Sequence, residues 1–415
     1  MADLVINRDR LLERHRLMAS FGDTGNGGVI RPALSDEETA ARSAILDLAR
    51  ERGFICSVDP IGNLFIRRNG EQGNQAPLRI GSHLDSQIPG GNFDGVYGVI
   101  AAFEVLETLE DRAISTSVPV EVVIWNNEEG ARFSPTTMGS GVHAGALPLD
   151  QALAARDTNG KRVDEELARS LEKLGQLFRI GLGTESSGYI EAHIEQGPVL
   201  EASNTPIGVV TGIQGIIQLQ VTVSGEEAHA GTTPRSRRRD ALFTALDLIA
   251  DLRALTTDPD DEVRFTVGRL SVLPGAPNTV PSNVVFTIDL RHPSEKILET
   301  IHAQIIEVAA TFRTSCHIDA VTTLASPPVC FDADIRSLIE TSATSLHLKS
   351  AAIASGATHD AKFMGPLCPT GMIFIPCRDG ISHNEKEWAE FEHMVAGADV
   401  LLRAVSKWAS PDIAN

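Results

Sequence analysis

Two apolar segments of the chain run directly into histidine and carboxylate residues. The segment PLRIGSHLD, at 77–85, is typical of a buried strand that ends at His83. The segment VEVVIWNNEE, at 120–129, is a second strand of this kind and ends in Glu128 and Glu129. In open α/β sheets, ligands bind in the crevice outside the carboxyl ends of the strands. The pattern therefore predicts such a sheet, with an acidic, histidine-bearing site at one edge.

Helical patterns alternate with these strands. SDEETAARSAILDLARERG predicts a helix that starts at Ser35 and Asp36 and stops at Gly53, and FICSVDPIGNLFIRR predicts a pair of strands in a hairpin. After Asp94, VYGVIAAFEVLETL places apolar residues on one helical face, which would pack on the sheet. We therefore expect a doubly wound α/β catalytic domain with a mixed sheet.

The pattern changes near residue 212, and a chain of 415 residues exceeds the usual size of one domain. From there four strands and two helices follow in the order β-α-β-β-α-β, which is the ferredoxin-like plan. The first of these helices is predicted to include the basic run PRSRRR. The predicted catalytic domain is 1–211 with 327–415, and the segment 212–326 is predicted to be an inserted α+β lid domain.

Six short segments carry the side chains that a two-metal hydrolase needs. Zinc, manganese, cobalt or nickel is held by imidazole and carboxylate, and two ions need one bridging carboxylate with two terminal ligands each. Asp94 is the predicted bridge, because the glycines around it let the backbone bend closely around the ions. His83 and His193 would complete one site, and Glu129 and His383 the other. The segments are GSHLDSQ, GGNFDG, NNEEGARF, EAHIEQG, EAHAGTTP and DGISHNEKEW.

Glu128 is predicted to be the general base. Adjacent residues point in different directions, so Glu128 and Glu129 cannot easily bind the same ion, and Glu128 would carry a proton from the attacking water to the leaving nitrogen. Asp85 lies two residues after His83 and would therefore hold its imidazole N–H. A single histidine or a Glu-Glu pair is usually a solvated surface group. Here the position at strand ends favours a metal site.

Composition narrows the class of partner. A formal net charge of -19 argues against nucleic acid or an anionic membrane as the partner, because both would require a basic face. The N-terminal segment lacks an uninterrupted apolar run, and no stretch is long enough for a transmembrane helix, so we expect a cytoplasmic protein. Five scattered cysteines are expected to be reduced and mostly buried. They are Cys56, Cys316, Cys330, Cys368 and Cys377.

On these motifs the chain resembles the hydantoinase/carbamoylase branch of the di-zinc aminoacylase and carboxypeptidase superfamily. That branch includes N-carbamoyl-L-amino acid hydrolases, β-ureidopropionases and allantoate amidohydrolases. The resemblance extends from about residue 20 to about residue 405 and adds APNTVPSNVVFTIDLRHP and SGATHDA to the motifs above. Among the predicted ligands, His193 best separates this branch from the peptidases of the wider superfamily. Those peptidases commonly have a carboxylate at that ligand position, whereas this branch has the histidine of its HIEQG motif.

The resemblance implies substrate-binding roles for Gln196, His229, Asn278 and Arg291, and it implies that His229 comes from the partner subunit of a homodimer. A guanidinium at Arg291 can make a two-pronged contact with a carboxylate. From the residues alone, Arg291 could equally form a surface salt bridge, and His229 could be a capping or core histidine. The lid would then also be a dimerisation domain.

The basic run PRSRRR is expected to be a helix face that makes ion pairs.

These expectations combine into metal-assisted hydrolysis of a ureido C–N bond with two divalent ions per subunit. The substrate would be an N-carbamoyl α- or β-amino acid, a small carboxylate, and the products the amino acid, ammonia and carbon dioxide. An allantoate amidohydrolase is the nearest alternative, because allantoate also joins a carboxylate to ureido groups. An aminoacylase or exopeptidase is disfavoured by His193. A noncatalytic binding protein would be expected to lose Glu128 or a ligand.

Overall fold

The computed structural model describes residues 4–410, which divide into two compact units. The first unit combines the chain up to Thr211 with the chain from Cys330 onward, and the second is Gly212–Val329. Each unit has its own sheet and its own hydrophobic core. The α/β class with a large mixed sheet is confirmed. A role of the second unit as a lid and dimerisation domain stays a prediction.

Within residues 4–410, ten strands form the mixed sheet of the first unit. Its centre consists of four parallel strands whose residues are all buried, which explains their nearly continuous apolar sequences. The strand Ser350–Ser355 pairs with Ile207–Ile213 and lies outside the row of the other nine. The other nine strands are, across the sheet, Val329–Cys330, Ile207–Ile213, Thr370–Ile375, Gly188–Ile194, Leu78–His83, Val120–Trp125, Leu64–Arg68, Ile55–Val58 and Phe178–Arg179.

Helices cover this sheet. Val96–Asp111 is buried on all sides, because it packs on the central strands and also against helices Arg8–Ser20 and Phe391–Trp408. The predicted hairpin is confirmed as Ile55–Val58 paired with Leu64–Arg68. No helix in the described part of the chain is long and apolar enough to cross a membrane. The remaining helices of the unit are Asp36–Glu51, Met138–His143, Leu149–Ala154, Val163–Leu174, Val199–Ala202, Ala333–Ser345 and Ala361–Met364, with a 3-10 turn at Arg378–Gly380.

The helix Asp36–Glu51 begins where the sequence predicts. The side chain of Ser35 accepts a hydrogen bond from the backbone N–H of Glu38, and the first turn is acidic, which favours this end of a helix. Gly53 follows the helix with a φ of 73°, in the left-handed region that glycine adopts without strain. Local chemistry therefore fixes both ends of this helix.

The second unit is a four-stranded antiparallel sheet with two helices packed against it. Its elements follow the predicted order β-α-β-β-α-β, and the first and third strands lie in the middle of the sheet. A short ribbon pairs Ala228–His229 with Thr279–Val280. In chain order the main elements are Gly215–Ser224, Ala241–Leu255, Arg264–Leu273, Asn283–His292, Glu295–Thr311 and His317–Ser326.

The basic run PRSRRR departs from the prediction. Arg235–Arg237 form a single 3-10 turn, and the helix begins only at Ala241. Asp240 caps this helix by accepting hydrogen bonds from two backbone N–H groups, so the cap excludes the preceding arginines. Arg238 donates to two backbone carbonyls. The prediction of a basic helix face is therefore wrong.

Candidate metal centre

The structure brings the five predicted ligands together at the carboxyl ends of the central strands. One group consists of His83, Asp94 and His193, and a second of Asp94, Glu129 and His383. Within each group the candidate ligand atoms all lie within 4.8 Å of one another. Imidazole nitrogen and carboxylate oxygen are the donors that zinc and related divalent ions take in hydrolytic sites. The residues therefore fit a metal centre, and Asp94 belongs to both groups.

Two neighbouring strands and a glycine turn build the first group. His83 ends Leu78–His83, and His193 lies near the end of the paired parallel strand. Asp94 Oδ1 is 3.7 Å from His83 Nε2 and 3.1 Å from His193 Nε2. Gly95 has a φ of 66°, and a Cβ atom there would clash with the imidazole of His83. Glycine is therefore required for Asp94 to approach the two histidines.

The second group is assembled across loops. Asp94 Oδ2 is 3.3 Å from His383 Nε2, which in turn is 3.4 Å from Glu129 Oε2. The amide of Gln87 donates to the same oxygen of Glu129 at 2.7 Å. The His383 side chain is 51% exposed and its φ is 54°, in the left-handed region. His383 is thus the exposed member of an otherwise buried ligand set.

Gln196 lies inside the cluster. Its amide nitrogen donates to Asp94 Oδ2 at 2.8 Å and to Ser382 Oγ at 3.2 Å. The amide oxygen is buried and has no hydrogen-bond partner among residues 4–410. A buried acceptor of this kind normally finds a donor, so Gln196 has the capacity to bind a donor group of a ligand.

Asp85 contacts different groups from the one predicted. His83 Nδ1 lies 3.0 Å from the backbone carbonyl oxygen of Asp85 and 3.6 Å from its carboxylate. The two carboxylate oxygens instead accept hydrogen bonds of 3.1 Å from the backbone N–H groups of Glu128 and Glu129. The side-chain contact predicted for His83 is therefore replaced by a backbone contact. The Asp85 side chain holds the turn that carries the two glutamates.

Glu128 lies beside both ligand groups and belongs to neither of them. Its Oε2 is 3.6 Å from His83 Nε2, and only 7% of the residue is exposed. Burial, followed by the charges of Asp360 and Glu129, raises the pKa of Glu128 well above its ordinary value. The structure thus places a buried carboxyl next to the candidate ligands, in the position that a proton-transfer group requires.

The charges of the cluster are strongly coupled. Burial would raise the pKa of Asp94, but hydrogen bonds from the three histidines hold it well below its usual range. The hydrogen bond with Asp94 raises the pKa of His383 to about 9. Burial and the charge of Asp94 raise the pKa of Glu129 to about 7. A divalent cation among these groups would stabilise the ionised carboxylates in a buried place.

The other predicted substrate residues belong to the second unit. His229 is exposed, and its Nδ1 accepts hydrogen bonds from the backbone N–H groups of Gly231 and Thr232. Asn278 lies beside His229, since the backbone carbonyl oxygen of Asn278 accepts a hydrogen bond from the backbone N–H of Ala230. Arg291 is held by Asp289 through Nε at 2.7 Å and Nη2 at 3.3 Å. His229 thus makes a local capping contact, and Arg291 forms a salt bridge.

The prediction missed several residues that touch the cluster. Glu191 and His359 form a third candidate metal group with His193, and the His359 ring lies 4.4 Å from that of His193. Three other missed residues form hydrogen bonds with members of the two predicted groups. They are Gln87 on Glu129, Ser382 on Asp94, and the buried Glu387, which accepts from the backbone N–H of Asp94. All three lie inside motifs that the sequence analysis quotes. Their motif positions were the available signal, because no pattern of apolar residues marks them.

Comparison with known proteins agrees with this geometry. Residues 80–407 match the model of the peptidase family M20/M25/M40. An N-carbamoyl-L-amino-acid amidohydrolase of Rhizobium meliloti is 38% identical over 96% of both chains, and an allantoate amidohydrolase of Bacillus subtilis is 32% identical over 94% of this chain and 95% of that protein. A hydantoinase/carbamoylase amidase structure from Burkholderia multivorans has a TM-score of 0.90 and 41% identity over 98% of both chains.

The chain belongs to peptidase family M20/M25/M40. Its solved relatives place it within the hydantoinase/carbamoylase branch, as the motifs predicted.

Proposed function

We propose that the protein hydrolyses the ureido C–N bond of N-carbamoyl amino acids and releases the amino acid, ammonia and carbon dioxide. The observation that carries the proposal is the sharing of Asp94 by two ligand groups with the buried Glu128 beside them. Relatives named N-carbamoyl-L-amino-acid amidohydrolase, at 38% and 35% identity in Rhizobium meliloti and Geobacillus stearothermophilus, support the substrate class. Their names indicate an L-amino acid.

Two divalent ions are proposed to bind, zinc or alternatively manganese, cobalt or nickel. When bound, they would activate water and polarise the ureido carbonyl. Glu128 takes a proton from the attacking water and delivers it to the leaving nitrogen. Asp85 keeps the Glu128 backbone in place through the hydrogen bond to its N–H. The unpartnered amide oxygen of Gln196 accepts a hydrogen bond from a ureido N–H.

The proposed roles of the second unit need two chains. His229 lies near the Asn283 end of strand Asn283–His292, because it pairs with Thr279, whereas Arg291 lies at the other end. Eight residues separate Asn283 from Arg291, which is roughly 26 Å of extended strand. A small carbamoyl amino acid does not span that distance, so the spacing favours contacts from different protomers. We therefore propose a homodimer in which His229 acts across the interface.

Arg291 is the proposed contact of the substrate carboxylate, and Asp289 orients its guanidinium by binding the Nε and Nη2 groups. Replacing Arg291 with lysine keeps the charge and loses the planar fork, so substrate binding should weaken by roughly 1.5 to 3 kcal/mol. The measurement is KM for a carbamoyl amino acid and for its amide. Amidation of the substrate should raise KM strongly for the unmutated enzyme. For Arg291→Lys, amidation should raise KM little further, because the two-pronged contact is already lost. Equal hydrolysis of acid and amide by the unmutated enzyme would exclude carboxylate recognition by Arg291.

An allantoate amidohydrolase is the second candidate. It is favoured by the relatives named allantoate amidohydrolase and probable allantoate deiminase, at 32% and 33% identity in Bacillus subtilis and Oryza sativa.

Five free cysteines support a reducing compartment for this protein, such as the cytoplasm.

One assay separates the candidates. Purified protein is loaded with zinc, manganese, cobalt or nickel and supplied with carbamoyl-alanine, carbamoyl-β-alanine or allantoate, and ammonia and free amino acid are measured. We expect both products from a carbamoyl substrate and neither from an Asp94→Ala control. Release from allantoate alone would support the second candidate. Cleavage of acetylated amino acids or dipeptides alone, or no cleavage by metal-loaded protein, would contradict the proposal.

A further inference from the structure

The loop that supplies His383 is held at its far end by a buried acid. His383 is half exposed, whereas Glu387, four residues later, is only 1% exposed. The free-energy cost of burying the Glu387 carboxylate must be offset by hydrogen bonds, because an isolated buried carboxylate is strongly destabilising. The partners of Glu387 therefore indicate why an acid is placed there.

Those partners connect the two parts of the second ligand group. Glu387 Oε1 accepts hydrogen bonds from the backbone N–H groups of Phe93 at 2.9 Å and Asp94 at 3.0 Å. Its Oε2 accepts from the hydroxyl of Ser382 at 2.8 Å. One carboxylate thus links the backbone of Asp94 to the residue that precedes His383. These are the two loops whose side chains meet at 3.3 Å.

The turn before Asp94 is shaped to admit this carboxylate. A Cβ atom added at Gly91 would clash with the carboxylate of Glu387, so the turn can lie this close only with glycine at that position. Glycine is used where backbone approaches another group closely. The contact therefore depends on the sequence of both segments, GGNFDG and SHNEKEW.

We propose that Glu387 is a positioning residue that holds the His383 loop to the Asp94 backbone and so sets the metal affinity of the Asp94, Glu129 and His383 group. The inference rests on the proposed two-ion function of this centre. Groups that orient metal ligands typically contribute roughly 10- to 100-fold to metal affinity. The His83 side of the centre has its own strand-borne ligands and should be affected less.

Three substitutions separate the hydrogen bonds from the charge. Glu387→Gln removes the charge and keeps a carbonyl oxygen for the two N–H groups and an amide for Ser382. Glu387→Asp keeps the charge, but it is shorter by one methylene group and cannot reach both loops. Glu387→Ala removes both. Glu390→Gln is the matched control, because Glu390 is an exposed acid nearby that pairs with Arg378.

Each protein is loaded with Zn²⁺ and desalted, and its zinc content and the rate of zinc transfer to a chromogenic chelator are measured. We expect two ions per chain and slow transfer for the unmutated protein, Glu387→Gln and Glu390→Gln. In Glu387→Asp and Glu387→Ala, one of the two ions should be lost or transferred roughly 10- to 100-fold faster. Activity of these two variants should recover when the assay contains excess zinc, which a general loss of structure would not permit.

The outcomes distinguish this inference from the proposed function. Fewer than two ions in the unmutated protein would contradict the two-ion centre itself. Two ions in every variant, with unchanged transfer rates, would overturn only the role of Glu387. If Glu387→Gln loses an ion as Glu387→Ala does, charge rather than positioning controls affinity and the inference is wrong. Should Glu387→Ala fail to fold by circular dichroism, the comparison of Glu387→Asp with Glu387→Gln decides.

Discussion

Asp94→Ala should abolish activity and lower the metal content of both ligand groups, whereas Glu128→Gln should keep the metal and lose turnover. Asp94 contributes one oxygen to each group, so its removal leaves both incomplete. Glu128 belongs to neither group. The decrease in turnover of Glu128→Gln should exceed the roughly 10²- to 10⁴-fold decrease typical of losing acid-base catalysis, because Glu128 is also proposed to orient the attacking water.

Elemental analysis and kcat for the two variants test this separation. Glutamine has the shape of Glu128 and keeps its backbone hydrogen bond to Asp85, so the turn should stay in place. Glu390→Gln again serves as the control, and we expect it to retain full metal content and turnover. A Glu128→Gln protein that binds no metal, or that turns over nearly as fast as the unmutated enzyme, would show that base and ligand have been assigned wrongly.

Sequence could predict the parts of the centre that continue a strand. The apolar run before His83 and the one before Glu128 and Glu129 mark buried strands, and the chain direction alone places their ends at one edge of the sheet. His193 lies next to the end of the buried strand Gly188–Ile194, but the motif EAHIEQG rather than an apolar run marked it. Local patterns were sufficient here because the strand itself delivers the side chain to the centre.

Loop-borne contacts could not be predicted in the same way. His383 and Glu387 lie in a loop without periodicity, and their closeness to Asp94, almost 300 positions earlier, arises only from the tertiary fold. Ligand chemistry predicted His383 from its motif, but nothing within that motif separated Glu387 from the neighbouring acids. Asp85 shows the same limit, since spacing placed it beside His83 and could not reveal that its carboxylate binds the N–H groups of a turn some 40 residues away.

The basic run before helix Ala241–Leu255 shows a competition between local signals. Its arginines have high helix propensity, but the Asp240 cap places the helix boundary after them. The order of strands and helices in the same unit was predictable, because its two central strands alternate between buried and half-buried positions.

His229 should act in trans, and mixing two inactive variants should restore activity. Its Nδ1 accepts two backbone hydrogen bonds, so the neutral imidazole carries its proton on Nε2 and can donate it to a developing negative charge. A well-placed donor of this kind is worth roughly 3 to 4 kcal/mol. His229→Ala should therefore lose turnover roughly 10²- to 10³-fold while keeping its metal. His317→Ala, which changes another exposed histidine of the same unit, should be unaffected.

Complementation decides whether the donor crosses the interface. His229→Ala chains keep Glu128, and Glu128→Gln chains keep His229, so a heterodimer would contain one complete site made from both. Random exchange makes half of the dimers mixed, and about a quarter of the unmutated activity should return. Two affinity tags verify that mixed dimers have formed. Full activity from a demonstrated monomer, or no recovery in verified mixed dimers, would refute the trans arrangement, and the assignment of the metal ligands would stand unchanged because it rests on the first unit alone.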